Sequence, residues 1–168
     1  MRKILSQKFI RIIKNKEKLE KILDINITNR GKEINIDGDP ENEYIAEKVI
    51  DAINFGFKFA EAISIKEESF IFEIINIKDH TTKKDLNRIK SRIIGKAGKA
   101  LNTLETLTNC YIEVIDNNVG VIGNPENIDI ATQAIISIIK GAKHGNVYAF
   151  LERRQPKPIH DLGLRDKK

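Results

Sequence analysis

Near the middle of the chain, Gly95-Lys96-Ala97-Gly98 is followed at once by Lys99. Two glycines three apart offer backbone rather than side chains. Without Cβ atoms, Gly95 and Gly98 can adopt positive φ and bring bare N–H groups against an anion. Lys96 and Lys99 add positive charge at the same place. The chemistry this supports is non-covalent capture of phosphate. Little else in the sequence competes with it. His80, His144 and His160 are scattered, Cys110 is the one cysteine, and no Gly-x-x-x-x-Gly-Lys-Ser/Thr phosphate loop occurs. Asp and Glu are plentiful without forming a constellation, so no enzyme, metal site or cofactor is expected. A Gly-x-x-Gly stretch alone is often just a tight turn, and the flanking elements must decide.

Those elements read clearly. Lys83 to Arg92 is predicted as a basic amphipathic helix, with a capping-box-like start at Thr82-Lys83-Lys84-Asp85. Leu86, Ile89 and Ile93 form its buried side, and Lys83, Lys84, Arg88, Lys90 and Arg92 the rest. A second helix, from Lys99 to Leu107, aims its positive end at the glycine turn. Then come a strand from Cys110 to Ile115, a turn at Asp116-Asn117-Asn118, a strand from Val119 to Ile122 and a long helix from Pro125. Alternation through Phe70, Phe72 and Ile74 suggests a first strand ahead of them. This order is that of a type I KH domain, whose loop grips about four single-stranded nucleotides. The expected RNA contacts are Gly95, Lys96, Ala97, Gly98 and Lys99 in the loop, with Arg88 and Arg92 on the approach helix. Ile93, Ile94, Leu101, Ile112 and Val114 are expected to form the apolar floor, and the Asn117-Asn118 turn the far wall. Exposed backbone on the edge strand would read base edges with modest selectivity.

The chain is also duplicated. Gly38-Asp39-Pro40-Glu41-Asn42 returns 85 residues later as Gly123-Asn124-Pro125-Glu126-Asn127. Asp39 and Asn124 are predicted N-caps, each followed by Pro at the first helical position. Ile25, Ile27, Ile34 and Ile36 match Cys110, Ile112, Val119 and Val121 at the same offset. Upstream the offset becomes 81, where Arg11-Ile12-Ile13 matches Arg92-Ile93-Ile94. In that register the first copy reads Lys14-Asn15-Lys16-Glu17 where the second has its glycine loop. Cβ atoms obstruct backbone approach there, and Glu17 repels phosphate. Expected boundaries are 1–64 for a degenerate first KH domain, 65–154 for the second, and 155–168 for a disordered tail rich in Pro and charge. Phe57 to Ile65 is predicted as a helical connection. The aromatics Phe55, Phe57, Phe59, Phe70 and Phe72 read as the seam between copies rather than a base-stacking platform.

Composition agrees with a nucleic-acid binder. The net charge of +5 is segregated. Successive segments 1–21, 22–77, 78–100, 101–142 and 143–168 carry +6, −7, +6, −4 and +4. The glycine loop lies in the third, and acidic faces keep RNA off the rest of the surface. Hydrophobic content of 40% supports a core, and no apolar run of membrane-spanning length occurs. The first residues lack the apolar stretch of a signal peptide, and a lone cysteine fits a reducing, cytoplasmic setting.

The run Arg88 to Lys99 resembles the archaeal and eukaryotic KH-repeat ribosome-assembly family (the Krr-one, Dim-two, partner-of-Nob type). So do Gly141-Ala142-Lys143-His144-Gly145-Asn146-Val147-Tyr148 and Phe150-Leu151-Glu152-Arg153. The resemblance covers residues 1 to about 154, most like archaeal forms. It implies an α+β fold of two tandem type I KH domains, each a three-stranded antiparallel sheet against three helices. It implies binding near the 3′ end of small-subunit rRNA, and a role in pre-rRNA processing and small ribosomal subunit biogenesis. The partners it implies are a Nob-type endonuclease and the alpha subunit of translation initiation factor two. Archaeal members often keep a Gly-x-x-Gly in the first repeat as well, and Lys14 to Glu17 departs from that. The alternative is a KH adaptor acting mainly through protein contact in translation initiation. Replacing both Gly95 and Gly98 by Asp is expected to abolish RNA binding and leave the chain folded.

Overall fold

The computed structural model describes residues 1–155, and beyond Gln155 the stretch expected to be disordered lies outside them. The chain forms two α+β units, each with a three-stranded antiparallel sheet. The first runs β1 (Arg2–Leu5), α1 (Phe9–Lys14), α2 (Lys16–Leu23), β2 (Ile25–Arg30), β3 (Glu33–Gly38) and α3 (Pro40–Phe55). After α4 (Phe59–Glu67) the second runs β4 (Ile71–Asn76), α5 (Leu86–Ile94), α6 (Lys99–Thr108), β5 (Tyr111–Ile115), β6 (Asn118–Gly123), α7 (Pro125–Ile139) and α8 (His144–Arg154). The sheet orders are β1-β3-β2 and β4-β6-β5, so the last strand of each unit is central. The division expected after residue 64 falls inside α4. No helix among the described residues is long and apolar enough to cross a membrane.

The duplication extends to individual hydrogen bonds. Glu20 Oε1 accepts from the Ile27 N–H at 2.8 Å, and Glu105 Oε1 from the Ile112 N–H at 3.0 Å. The Asp39 carbonyl accepts from Glu43, and the Asn124 carbonyl from Ile128. Asp24 and Asn109 both end a helix with φ +52°. Of the two predicted caps, the Asn124 side chain accepts from the Glu126 N–H, whereas the Asp39 side chain makes no capping bond. The start of α5 also moves. Asp85, not Thr82, caps it, accepting from Arg88 N–H at 3.1 Å.

The sheets differ in what covers their far faces. In β3, buried Ile34 and Ile36 alternate with Glu33, Asn35 and Asp37, so one face meets solvent. In β6, Val119, Gly120, Val121, Ile122 and Gly123 are all buried. Val119 and Val121 join the core under α5, α6 and α7, while Ile122 joins the core of the first unit. Phe55, Phe57 and Phe72 form the seam, with ring centroids 5.7–5.8 Å apart and mostly edge-to-face. Gly120 makes room for it. A Cβ there would stand 2.6 Å from Phe55 and 2.9 Å from Phe57. Beside the seam, burial and then Glu61 and Glu105 push the Glu113 carboxyl above its ordinary range, against weaker pulls from Lys8 and Lys58. Burial likewise raises the Cys110 thiol to about 11, as suits an inert core residue.

Gly120→Val should lower stability by roughly 1–3 kcal/mol through overpacking, read from the urea midpoint. Glu113→Gln should be more stable than the parent protein at pH 7. The raised folded-state pKa means that ionised Glu113 costs stability above the ordinary carboxylate range, so the advantage should shrink as pH falls through that raised value toward about 4.

Candidate nucleic-acid interface

Helices α5 and α6 are joined by Gly95 to Gly98, and the backbone there is unusual. Gly95 has φ +75° and ψ 175°, Ala97 has φ +55°, and Gly98 has φ +75°. Three of four residues thus lie at positive φ, which turns the chain sharply outward. The two glycines serve different needs. A Cβ on Gly95 would lie 2.5 Å from the Ala100 Cβ and 2.7 Å from its nitrogen, so Gly95 lets the two helices close. A Cβ on Gly98 would meet nothing within 4 Å, so Gly98 leaves open space over the backbone. Lys96, Ala97 and Lys99 are exposed around it. Double replacement by Asp therefore strains the fold at Gly95, contrary to the expectation above, whereas Gly98→Asp meets only the strain of a positive φ and is the cleaner probe of the loop.

The floor is narrower than the sequence suggested. Ile94, Leu101 and Val114 are half-buried and available, and Arg88 is exposed. Ile93 is 0% and Ile112 2% exposed, so both are core residues with no face to offer. Arg92 is also reassigned. Its guanidinium donates to the Ile138 carbonyl at 2.8 Å and to the Ala142 carbonyl, closing the end of α7. His144 Nε2 donates to the Arg92 carbonyl at 2.7 Å. Arg92 and His144 thus bolt the loop-bearing end of α5 to the α7–α8 junction. The sequence marked Arg92 by charge and His144 only as part of a stretch that resembles the family, since its role depends on contacts across 52 residues. The expected far wall is a two-residue turn, Asp116-Asn117, whose Asn117 carbonyl accepts from the Ile77 N–H.

Strand β5 is an edge strand paired only with β6. The Ile112 N–H points to its free side, because Glu105 captures it there. Backbone groups alternate in direction along a strand, so the N–H and C=O of Val114 face the same way. Val114 therefore presents both an apolar side chain and an edge donor and acceptor on the free side of β5. That combination suits a base laid flat on Val114 and bonded through its edge.

The first unit has no such loop. Only Asn15 separates α1 from α2, at φ −108°, and its side chain donates to the Arg11 carbonyl. Buried Ile12 matches Ile93 at an offset of 81, and buried Leu19 matches Leu104 at 85. The four-residue difference falls between them, so the glycine loop is missing there rather than replaced by Lys14 to Glu17.

Residues 71–156, about half of the chain, match a family model described as a eukaryotic type KH-domain (KH-domain type I), that of the second PNO1 repeat. A KH domain-containing protein of Methanocaldococcus jannaschii is 33% identical over 120 residues, 71% of this chain and 53% of that protein. The pre-rRNA-processing protein pno1 of Emericella nidulans is 30% identical over 64% of this chain and 43% of its own length. The match thus spans about half the length of these curated relatives. Among solved structures, Dim2p from Pyrococcus horikoshii OT3 superposes with a TM-score of 0.81 at 30% identity, covering 91% of this chain and 98% of that one. The complex of a/eIF2alpha, aDim2p and rRNA from the same organism includes a chain at 31% identity with a TM-score of 0.80, covering 91% of this chain and 92% of that one.

Gly98→Asp, strained only by its positive φ, should cost about 1 kcal/mol of stability and weaken single-stranded RNA binding about tenfold, or ~1.4 kcal/mol. Arg92→Met should instead cost about 2 kcal/mol of stability in urea unfolding, because two part-buried carbonyls lose a charged donor.

Proposed function

Because the chain belongs to the PNO1/Dim2-type family of KH-domain proteins, we propose that it binds single-stranded RNA in small-subunit rRNA, close to its 3′ end, and assists pre-rRNA processing as a ribosome-assembly factor. It is a member of an RNA-binding family, not of a family of enzymes. The observation that carries the reading is the loop at Gly98, open above positive-φ backbone and ringed by exposed Lys96 and Lys99. The half-buried floor of Ile94, Leu101 and Val114 and the free β5 edge lie in the same unit. Phosphates would sit on the loop, and bases on the floor.

The two units are tandem KH repeats in this reading, a degenerate one ahead of α4 and an RNA-gripping one from β4 to α8. Shared element order and the paired glutamate hydrogen bonds support this. The names of relatives that process pre-rRNA, and the archaeal complex with rRNA, support the rRNA target. That complex also contains a/eIF2alpha, which supports the alpha subunit of translation initiation factor two as a protein partner. A Nob-type endonuclease as a further partner rests on family resemblance. The second reading, an adaptor in translation initiation, draws on the same complex and on the missing loop of the first unit.

The deciding measurement is binding to a short RNA copying the small-subunit rRNA 3′ end, against a scrambled RNA of equal length, at two salt concentrations. A preference for the native sequence that persists at the higher salt is expected. Equal and salt-sensitive binding to both would sink the rRNA reading and promote the adaptor, since charge attraction alone fades as counterion release is lost.

A further inference from the structure

The positive charge ahead of α5 exceeds what the groove uses. Lys78, His80 and Lys83, between β4 and α5, line a depression of about 510 Å³ together with Lys140 at the end of α7. Asp79 is the single carboxylate among its lining residues. The elements meet closely, since a Cβ on Gly141 would come 3.8 Å from Lys83 Nζ. None of Lys78, Lys83 and Lys140 is neutralised by an ion pair among the described residues. The four ion pairs found there all join residues of the first unit. Like charges held together in this way repel one another and are relieved by a polyanion.

The depression is also connected to the loop. Arg88 and Ser91 are exposed and three residues apart on α5, with exposed Lys84 just ahead of its cap, so an outer face leads from the depression toward Gly95. The nine residues of α5 span about 13 Å at 1.5 Å each. We propose that bound RNA continues past the groove along the outer face of α5, and that Lys78, Lys83 and Lys140 hold its flanking phosphates. The footprint is then longer than the roughly four nucleotides that the loop grips. This rests on the RNA-binding reading above. It adds a second backbone site made by the β4–α5 connection and the end of α7.

The test uses the whole chain with a tetranucleotide and a dodecanucleotide sharing that core, each titrated across a range of salt. The parent protein should show a steeper salt dependence for the longer RNA. In Lys78→Gln/Lys83→Gln/Lys140→Gln, with an unchanged melting temperature, that slope should flatten by about 2, at about 0.7 per lost contact on a single strand. Tetranucleotide affinity should stay within about twofold. Equal slopes for the two RNAs in the parent, or an unaltered dodecanucleotide slope in the variant, would overturn the extended path; the second result would assign the depression to an acidic protein segment. If the parent failed to bind even the tetranucleotide, the groove itself, and with it the RNA reading, would fall.

Discussion

Burial of β6 on both faces is the constraint from which the second unit follows. Val119 and Val121 close the core beneath the helices, while Gly120 and Ile122 receive the aromatic seam of the first unit. A strand held on both faces has no freedom of register, because a slip of one residue would push Val119 into the seam and Gly120 into the core. With β6 central, β4 and β5 are left as edges. The first unit has the same strand order with one sheet face in solvent, so the free side of β5, where Val114 lies, follows from strand order.

The same packing frees the loop from structural duty. Gly95 is committed to closing α5 against α6, and Arg92 with His144 ties that corner to α7 and α8. Gly98, Lys96 and Lys99 are left with nothing to support. Rigid surroundings around an open turn suit capture of a flexible strand, since little order need be created in the protein on binding. In the first unit, where α1 and α2 meet at a single residue, that division of labour is absent. Its sheet, helices and paired glutamate bond persist because they are what holds the unit together.

Much of this was legible in the residues. The 85-residue repeat, the period-two strands and the Pro-initiated long helices follow from local physics. Side-chain alternation and caps act over a few positions. The exposed glycine turn from Gly95 to Lys99 was equally local, since absent Cβ atoms and adjacent lysines need no distant partner to be recognised.

The strand Arg2–Leu5 was not legible, because four residues carry too short a pattern; pairing with β3 makes it a strand. The sequence by itself determined that the chain repeats one α+β unit and that only the second copy has a Gly-x-x-Gly turn. Tertiary structure decided which apolar and basic residues remain on the surface. Ile93 and Ile112 share the composition and periodicity of Ile94 and Val114, yet go to the core, and Arg92 spends its charge on two carbonyls 46 and 50 residues away. The reason is that exposure is a property of what packs opposite a residue, and those partners come from distant parts of the chain.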